Sequence, residues 1–132
     1  MEPIDINFQK EIITGNDSIV IRNYLDGIKG GKVLDMAGFT PEVLKCGHVI
    51  IKSNTDVYKP MPLNQEGDAY GSLPANHSYV GISTTSIEWG KEGSLVGILT
   101  AGEVNDSALP YDMTSILSAF KAAVPTIRFD HD

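Results

Sequence analysis

Short apolar bursts recur along the chain, separated by stretches rich in Gly, Asn, Asp and Pro. The bursts are Ile19-Val20-Ile21, Lys32-Val33-Leu34, Val49-Ile50-Ile51, Val80-Gly81-Ile82, Leu95 to Leu99, and Thr126 to Phe129. Val and Ile dominate them, and their branched side chains favour a pleated surface over a helix. Thirteen Gly and seven Pro supply the turns between. No burst approaches the length needed to cross a bilayer as a helix. No fixed-period repeat and no low-complexity tract interrupts the series. The pattern predicts a sheet-rich domain of short strands, a barrel or a sandwich.

A different period appears near the end. Met113, Ile116, Leu117, Phe120 and Val124 recur at the spacing of one helical face, which predicts a helix from Pro110 to Val124. Pro is tolerated in the first turn, where its missing N–H would have no partner, and Pro125 stops the element. Asp112 and Lys121 complement the two ends of the helix dipole. The segment Thr126-Ile127-Arg128-Phe129 then alternates polar and apolar as a closing strand. At the other end, Ile4, Ile6 and Phe8 alternate with Asp5, Asn7 and Gln9, the pattern of a half-buried strand. A terminal strand either closes its own sheet or adds to the edge of a partner's. Residues 61–78 have no period and are expected as a long loop, either a solvated surface loop or one with a function.

At 132 residues the chain is expected to form one domain, with about 70% of its unfolded surface hidden on folding. Ten Lys and Arg stand against 17 Asp and Glu, for a net charge of -7. Such a surface repels nucleic acid and anionic membranes, so neither is expected as a partner. Met1-Glu2-Pro3-Ile4-Asp5 is acidic where a secretory signal starts basic and then turns apolar, which predicts a chain made and used in cytoplasm. The single cysteine, Cys46, excludes an intrachain disulfide framework and a Cys-rich zinc site.

Candidate chemistry is sparse. Gly27-Ile28-Lys29-Gly30-Gly31-Lys32-Val33 suggests a phosphate-binding loop, but Asp26 stands where the first glycine belongs and Val33 where a hydroxyl residue must hold magnesium. A glycine turn into a strand is the better reading. Cys46 and His48, two apart, would share one face of a strand. A nucleophile also needs an orienting group and an oxyanion hole, and neither is evident nearby. His48, His77 and His131 are scattered, and no carboxylate pair has an obvious scaffold. The expectation is no catalytic residue, no cofactor and no metal. Trp89 fits either the core or an interface. Tyr58, Tyr70, Tyr79 and Tyr111 lie in or beside loops, where they are candidates for contact with a partner.

The order of features resembles a known family. Leu44-Lys45-Cys46-Gly47-His48-Val49-Ile50 looks like the stretch in which phage decoration proteins place a small residue and Gly before an apolar strand. Tyr58-Lys59-Pro60 and the long loop follow, then Val80-Gly81-Ile82. Gly102-Glu103-Val104-Asn105-Asp106-Ser107-Ala108-Leu109 is similar to the G-x-V-N-x-x-x-L segment before the C-terminal helix of head decoration proteins of the phage lambda type. The likeness covers residues 31–129. It implies a mainly β domain of β-clip type over residues 31–132 with one C-terminal α-helix, preceded by an N-terminal arm and extension through residue 30. It further implies a homotrimer on the outer surface of an expanded capsid, with the major capsid protein as partner, no cofactor and no catalysis. In that family the arm adds as a strand to the capsid protein, which would give Ile4, Ile6 and Phe8 that role, with Trp89 and Tyr111 as interface candidates. The place of action would be the virion. Other phage parts built on a similar small β-domain, a head-fibre base or a tail component, remain alternatives. So does a trimeric β-clip nucleotide hydrolase, whose Asp-x-Tyr-Gly segment is echoed by Gly67-Asp68-Ala69-Tyr70-Gly71 without its companion motifs.

Overall fold

The computed structural model describes residues 20–28, 30–35, 43–84, 86–88 and 95–130. Within them the protein is mainly β with a single short C-terminal helix. The strands are β1 (Ile21–Gly27), β2 (Lys32–Val33), β3 (Val43–Leu44), β4 (Val49–Ser53), β5 (Tyr58–Pro60), β6 (His77–Ser83), β7 (Ile87–Glu88), β8 (Leu95–Val96), β9 (Ile98–Asn105) and β10 (Ile127–Asp130), with helix α1 (Leu117–Ala123) before the last. Six of them form one sheet in the order β1-β9-β6-β4-β5, with β10 also beside β9; β2 pairs β8 and β3 pairs β7 as small ribbons. Every pairing in the large sheet is antiparallel except that of β10 with β9.

The sheet is covered on both faces, which explains why β4 reads as an unbroken apolar run. Successive side chains of a strand point to opposite faces. Val49 and Ile51 therefore enter a larger core with Ile82, Leu99, Val104 and Phe120. Ile50 enters a smaller one with Leu34, Leu44, Val96 and Ile98. All three β4 side chains are fully buried.

Residues 21–27, within the expected N-terminal extension, form β1 and pair along β9 from Val104 to Leu99. The backbone contact continues past the strand, where the Ile28 N–H donates to the Ile98 carbonyl at 3.0 Å. Arg22 reaches across β9 to the Asp130 carboxylate at 2.7 Å. The extension through residue 30 thus includes a strand of the main sheet. Gly102, in the middle of this pairing, has φ +151 and lies so close to the Asn23 carbonyl that a Cβ would collide with it. That glycine permits the approach of β1.

The helix is shorter than the periodicity predicts. Instead of running from Pro110, α1 begins at Leu117, and turns precede it. The reason is local competition for the backbone. The Asp112 Oδ1 accepts both the Thr114 N–H at 2.9 Å and the Thr114 hydroxyl at 2.6 Å. A bridge to Ala69 holds Asp112 extended. The helical face survives without the helix: Met113, Ile116, Phe120 and Val124 are all buried, and Lys121 sits in the last turn as expected.

Residues 61–78 are not the solvated loop that their composition suggests. Met61 and Tyr70 are buried, and an isolated bridge joins Leu63 to Tyr70. β6 already begins at His77. The excursion turns at Asn64, whose side-chain oxygen accepts the Gly67 N–H at 2.8 Å. No described helix is long and apolar enough to cross a membrane.

Candidate functional site

The turn that leads into β4 organises the most elaborate side-chain grouping in the described residues. Gly47 has φ +94, and a Cβ there would press on Val20 at 2.9 Å and on Pro110 at 3.0 Å. The tight turn so formed aims Cys46 and His48 differently. The Cys46 thiol donates to the Thr84 carbonyl at 3.2 Å, and its N–H donates to Ser86 Oγ at 2.9 Å. The His48 Nε2 meets the Met61 carbonyl at 2.9 Å. In a strand both side chains would share one face; the turn gives them separate partners instead. Ser83, also buried, locks the turn from β6: its hydroxyl donates to the Lys45 carbonyl at 2.9 Å and accepts the His48 N–H at 3.1 Å.

His48 is fully buried among aromatic rings. Tyr70 from the excursion stands edge-on at 5.2 Å, and Tyr111 at 5.4 Å. The two tyrosines meet each other at 5.7 Å. The Tyr70 hydroxyl accepts the Val49 N–H at 3.0 Å and so satisfies the start of β4. Burial pushes the Tyr70 and Tyr111 phenols up, keeping both neutral, and pushes His48 down to about 4 against the opposing effect of the Met61 hydrogen bond. The Lys45 ammonium lies 5.8 Å from the centre of the Tyr111 ring.

Tyr111 also lines an open groove of about 360 Å³ between the 106–114 segment, α1 and β10. Leu109, Leu117 and Phe129 give it apolar walls, and Asp106, Asp112 and Lys121 lie at its polar side. Hydrogen bonds from Thr114 hold the Asp112 carboxyl below the usual carboxylate range. Among the described residues no group of three or more His, Cys, Asp and Glu could hold a metal ion.

The predicted site residues divide sharply. Tyr111 lies where the ring cluster meets the groove. Ile4, Ile6, Phe8, Trp89 and His131 lie outside the described residues. Asp68 and Tyr70, echoed from the hydrolase pattern, part company: Asp68 accepts the Asn64 amide at 3.0 Å in the exposed turn, while Tyr70 is buried in the core. Tyr79 packs on Phe120 at 5.4 Å, and Tyr58 lies beneath the Lys32 ammonium at 5.3 Å.

Sequence reasoning missed the exposed apolar side chains of β1 and of the β2–β8 ribbon. Tyr24 and Leu25 on β1 are 56% and 67% exposed, and Val33 and Leu95 on the β2–β8 ribbon are 53% and 63% exposed. Val33 and Leu95 are direct cross-strand partners. The signal was present in Tyr24-Leu25, which sets two large apolar side chains on opposite faces of one strand. No protein-family model, no curated protein and no solved structure matches this chain.

Proposed function

We propose that this chain is a structural protein of a phage virion, which binds the outer surface of the capsid as a trimer and stabilises it without catalysis. The observation that carries the reading is the exposed cross-strand apolar pair Val33 and Leu95, with Tyr24 and Leu25 exposed on β1 as well. Adjacent apolar side chains left in solvent on a small domain suit contact with another protein. The G-x-V-N-x-x-x-L likeness supports it further, because each matching residue has a task in the fold. Gly102 admits β1, Val104 is buried, and Leu109 packs on the larger core. Asn105 turns the chain, its side-chain oxygen accepting the Ser107 N–H at 3.0 Å.

In this reading Ile4, Ile6 and Phe8 form the strand that each subunit adds to a major capsid protein. A single short arm binds weakly because it is ordered on arrival. Three arms on one trimer share the cost of positioning, and linked sites commonly gain about 10²–10⁴ in avidity. A ligand that prefers the expanded shell stabilises that shell by mass action. The protein is made in the host cytoplasm and acts on the virion.

Sedimentation and capsid binding test the proposal together. The full chain should sediment as a trimer and pellet with expanded capsids of the phage that encodes it, and loss of residues 1–10 should abolish pelleting while the circular dichroism spectrum is kept. A strict monomer up to millimolar concentration, or a truncated chain that binds capsids unchanged, sinks the reading.

A further inference from the structure

We propose that the Asp26–Gly27 bond at the end of β1 is a site of self-modification, where the aspartate closes to a cyclic imide and reopens as isoaspartate. This chemistry stands apart from the capsid reading. Ring closure needs the amide nitrogen of the following residue at the side-chain carboxyl, and the fold sets the two together. The Gly27 N–H donates to Asp26 Oδ1 at 2.8 Å. The carboxyl carbon is one bond from that oxygen, and reacting atoms about 3–3.5 Å apart are placed for attack. Strand N–H groups ordinarily point to a neighbouring strand. This one points to the preceding side chain.

The surroundings favour the reaction at this aspartate over others. A Cβ on Gly27 would collide with the Tyr24 hydroxyl and the Ile98 carbonyl, so the position takes glycine, which leaves the attacking nitrogen unshielded. Asp26 is exposed, and β1 is an edge strand of the described sheet, so water reaches the ring. The pairing with β9 shifts register on both sides of Asp26, which loosens the ladder there. Asp56, Asp68 and Asp112 are exposed too, but each is followed by a residue with a side chain. Their carboxylates also turn elsewhere: to the Lys52 ammonium at 3.6 Å, the Asn64 amide at 3.0 Å and the Thr114 N–H at 2.9 Å.

The atoms balance without a co-reactant other than water. The carboxyl reacts in its acid form: the Gly27 nitrogen bonds to the Asp26 side-chain carbon, and the carboxyl hydroxyl leaves with the amide proton as water. Water then adds to one of the two imide carbonyls. Opening at the side-chain carbonyl restores aspartate. Opening at the backbone carbonyl breaks the original peptide bond and leaves the chain running through the side chain, one methylene longer. That extra length falls beside Gly27 in its slot against Tyr24 and Ile98, and next to Ile28, whose N–H bonds the Ile98 carbonyl at 3.0 Å. Conversion therefore disturbs the end of β1, beside the exposed Tyr24 and Leu25.

Ageing of the full chain for several weeks at physiological temperature and mildly acidic pH tests this, read by digestion and mass spectrometry with electron-transfer fragmentation. The fragment holding Asp26 should lose one water and then regain its mass as isoaspartate. Its conversion should run about tenfold faster than at Asp56, Asp68 and Asp112, equivalent to about 1.4 kcal/mol in barrier. Asp26→Asn closes the same ring with loss of ammonia and should also yield isoaspartate, whereas Asp26→Glu needs a larger ring and should stay unmodified. A synthetic peptide of residues 21–32 gives the rate without the fold, and the native chain should match or exceed it. Conversion at Asp26 no greater than at the other three aspartates overturns the proposal. So does conversion in the peptide with little in the folded chain, a comparison that needs no variant to fold.

Discussion

On the face of the central sheet that carries Val49, Ile51, Ile82, Leu99 and Val104, the chain supplies its own cover. Helix α1, the buried excursion residues Met61 and Tyr70, and the 109–113 segment close over it. On the opposite face, around Ile50 and Ile98, the described cover is thinner and ends at Val33 and Leu95, both more than half exposed. The same strands build both faces, so the difference does not lie in strand propensity. It lies in what the rest of the chain brings to each side. The closed face is a folding core, and the edge of the other is where the proposed function needs a second protein.

The comparison breaks most visibly at the centre of the closed face. Phe120 is fully buried and meets Tyr79 at 5.4 Å and Phe129 at 5.6 Å, edge-on in both cases. Phe120→Ala should lower unfolding free energy by about 3–5 kcal/mol in urea titrations, the cost of lost transfer plus the cavity left behind. A loss under about 1 kcal/mol would mean that this face is not the closed core described.

Protonation of His48 should have the next largest effect. With its value depressed to about 4 by burial, global stability is full above about pH 6.5 and declines by up to about 3 kcal/mol as pH falls to 4. Thermal melts of wild type and His48→Gln across that range should diverge at pH 7, where the variant carries any cost of repacking, and converge toward pH 4. Parallel curves would count against a depressed value.

Tyr70→Phe sharpens the same side at smaller scale. It keeps the ring against His48 and Tyr111 but removes the oxygen that accepts the Val49 N–H. A buried donor left unsatisfied costs about 1–3 kcal/mol. The midpoint of denaturation should fall accordingly, with the slope against denaturant unchanged.

What could be read from the sequence follows from the same contrast. The Val49-Ile50-Ile51 burst predicts a strand, and the structure forms it there with all three side chains buried. The face of α1 was legible from its period, but its length was not, because the Asp112 side chain competes for the Thr114 N–H that a helix starting at Pro110 would use differently. The cluster of His48, Tyr70 and Tyr111 leaves no periodic trace, since its members come from three segments that meet only in the folded chain. The bursts around Val33 and Leu95 send Leu34 and Val96 into the smaller core but leave Val33 and Leu95 at the surface, and an apolar pair reads alike whether its cover comes from within the chain or from outside. The arm residues Ile4, Ile6 and Phe8, and Trp89, lie outside the described residues, so their part rests on the family resemblance.

The smallest effect on folding is expected at the open edge, and it bears most directly on function. Leu95 is 63% exposed and pairs with Val33 across the β2–β8 ribbon. Leu95→Asp removes little buried area, and substitutions at such positions usually change stability within about 0.5 kcal/mol. If the edge is idle surface, association and capsid binding should be as insensitive as folding. If it meets a second protein, a carboxylate buried in an apolar contact without a partner carries a heavy penalty. The variant should then melt like wild type yet fail to sediment as the trimer, or fail to pellet with expanded capsids. Leu25→Asp, at the exposed Leu25 of β1, provides a second, independent test. Two variants that fold, assemble and bind normally would reduce the apolar edge to ordinary surface and remove the observation on which the proposed function rests.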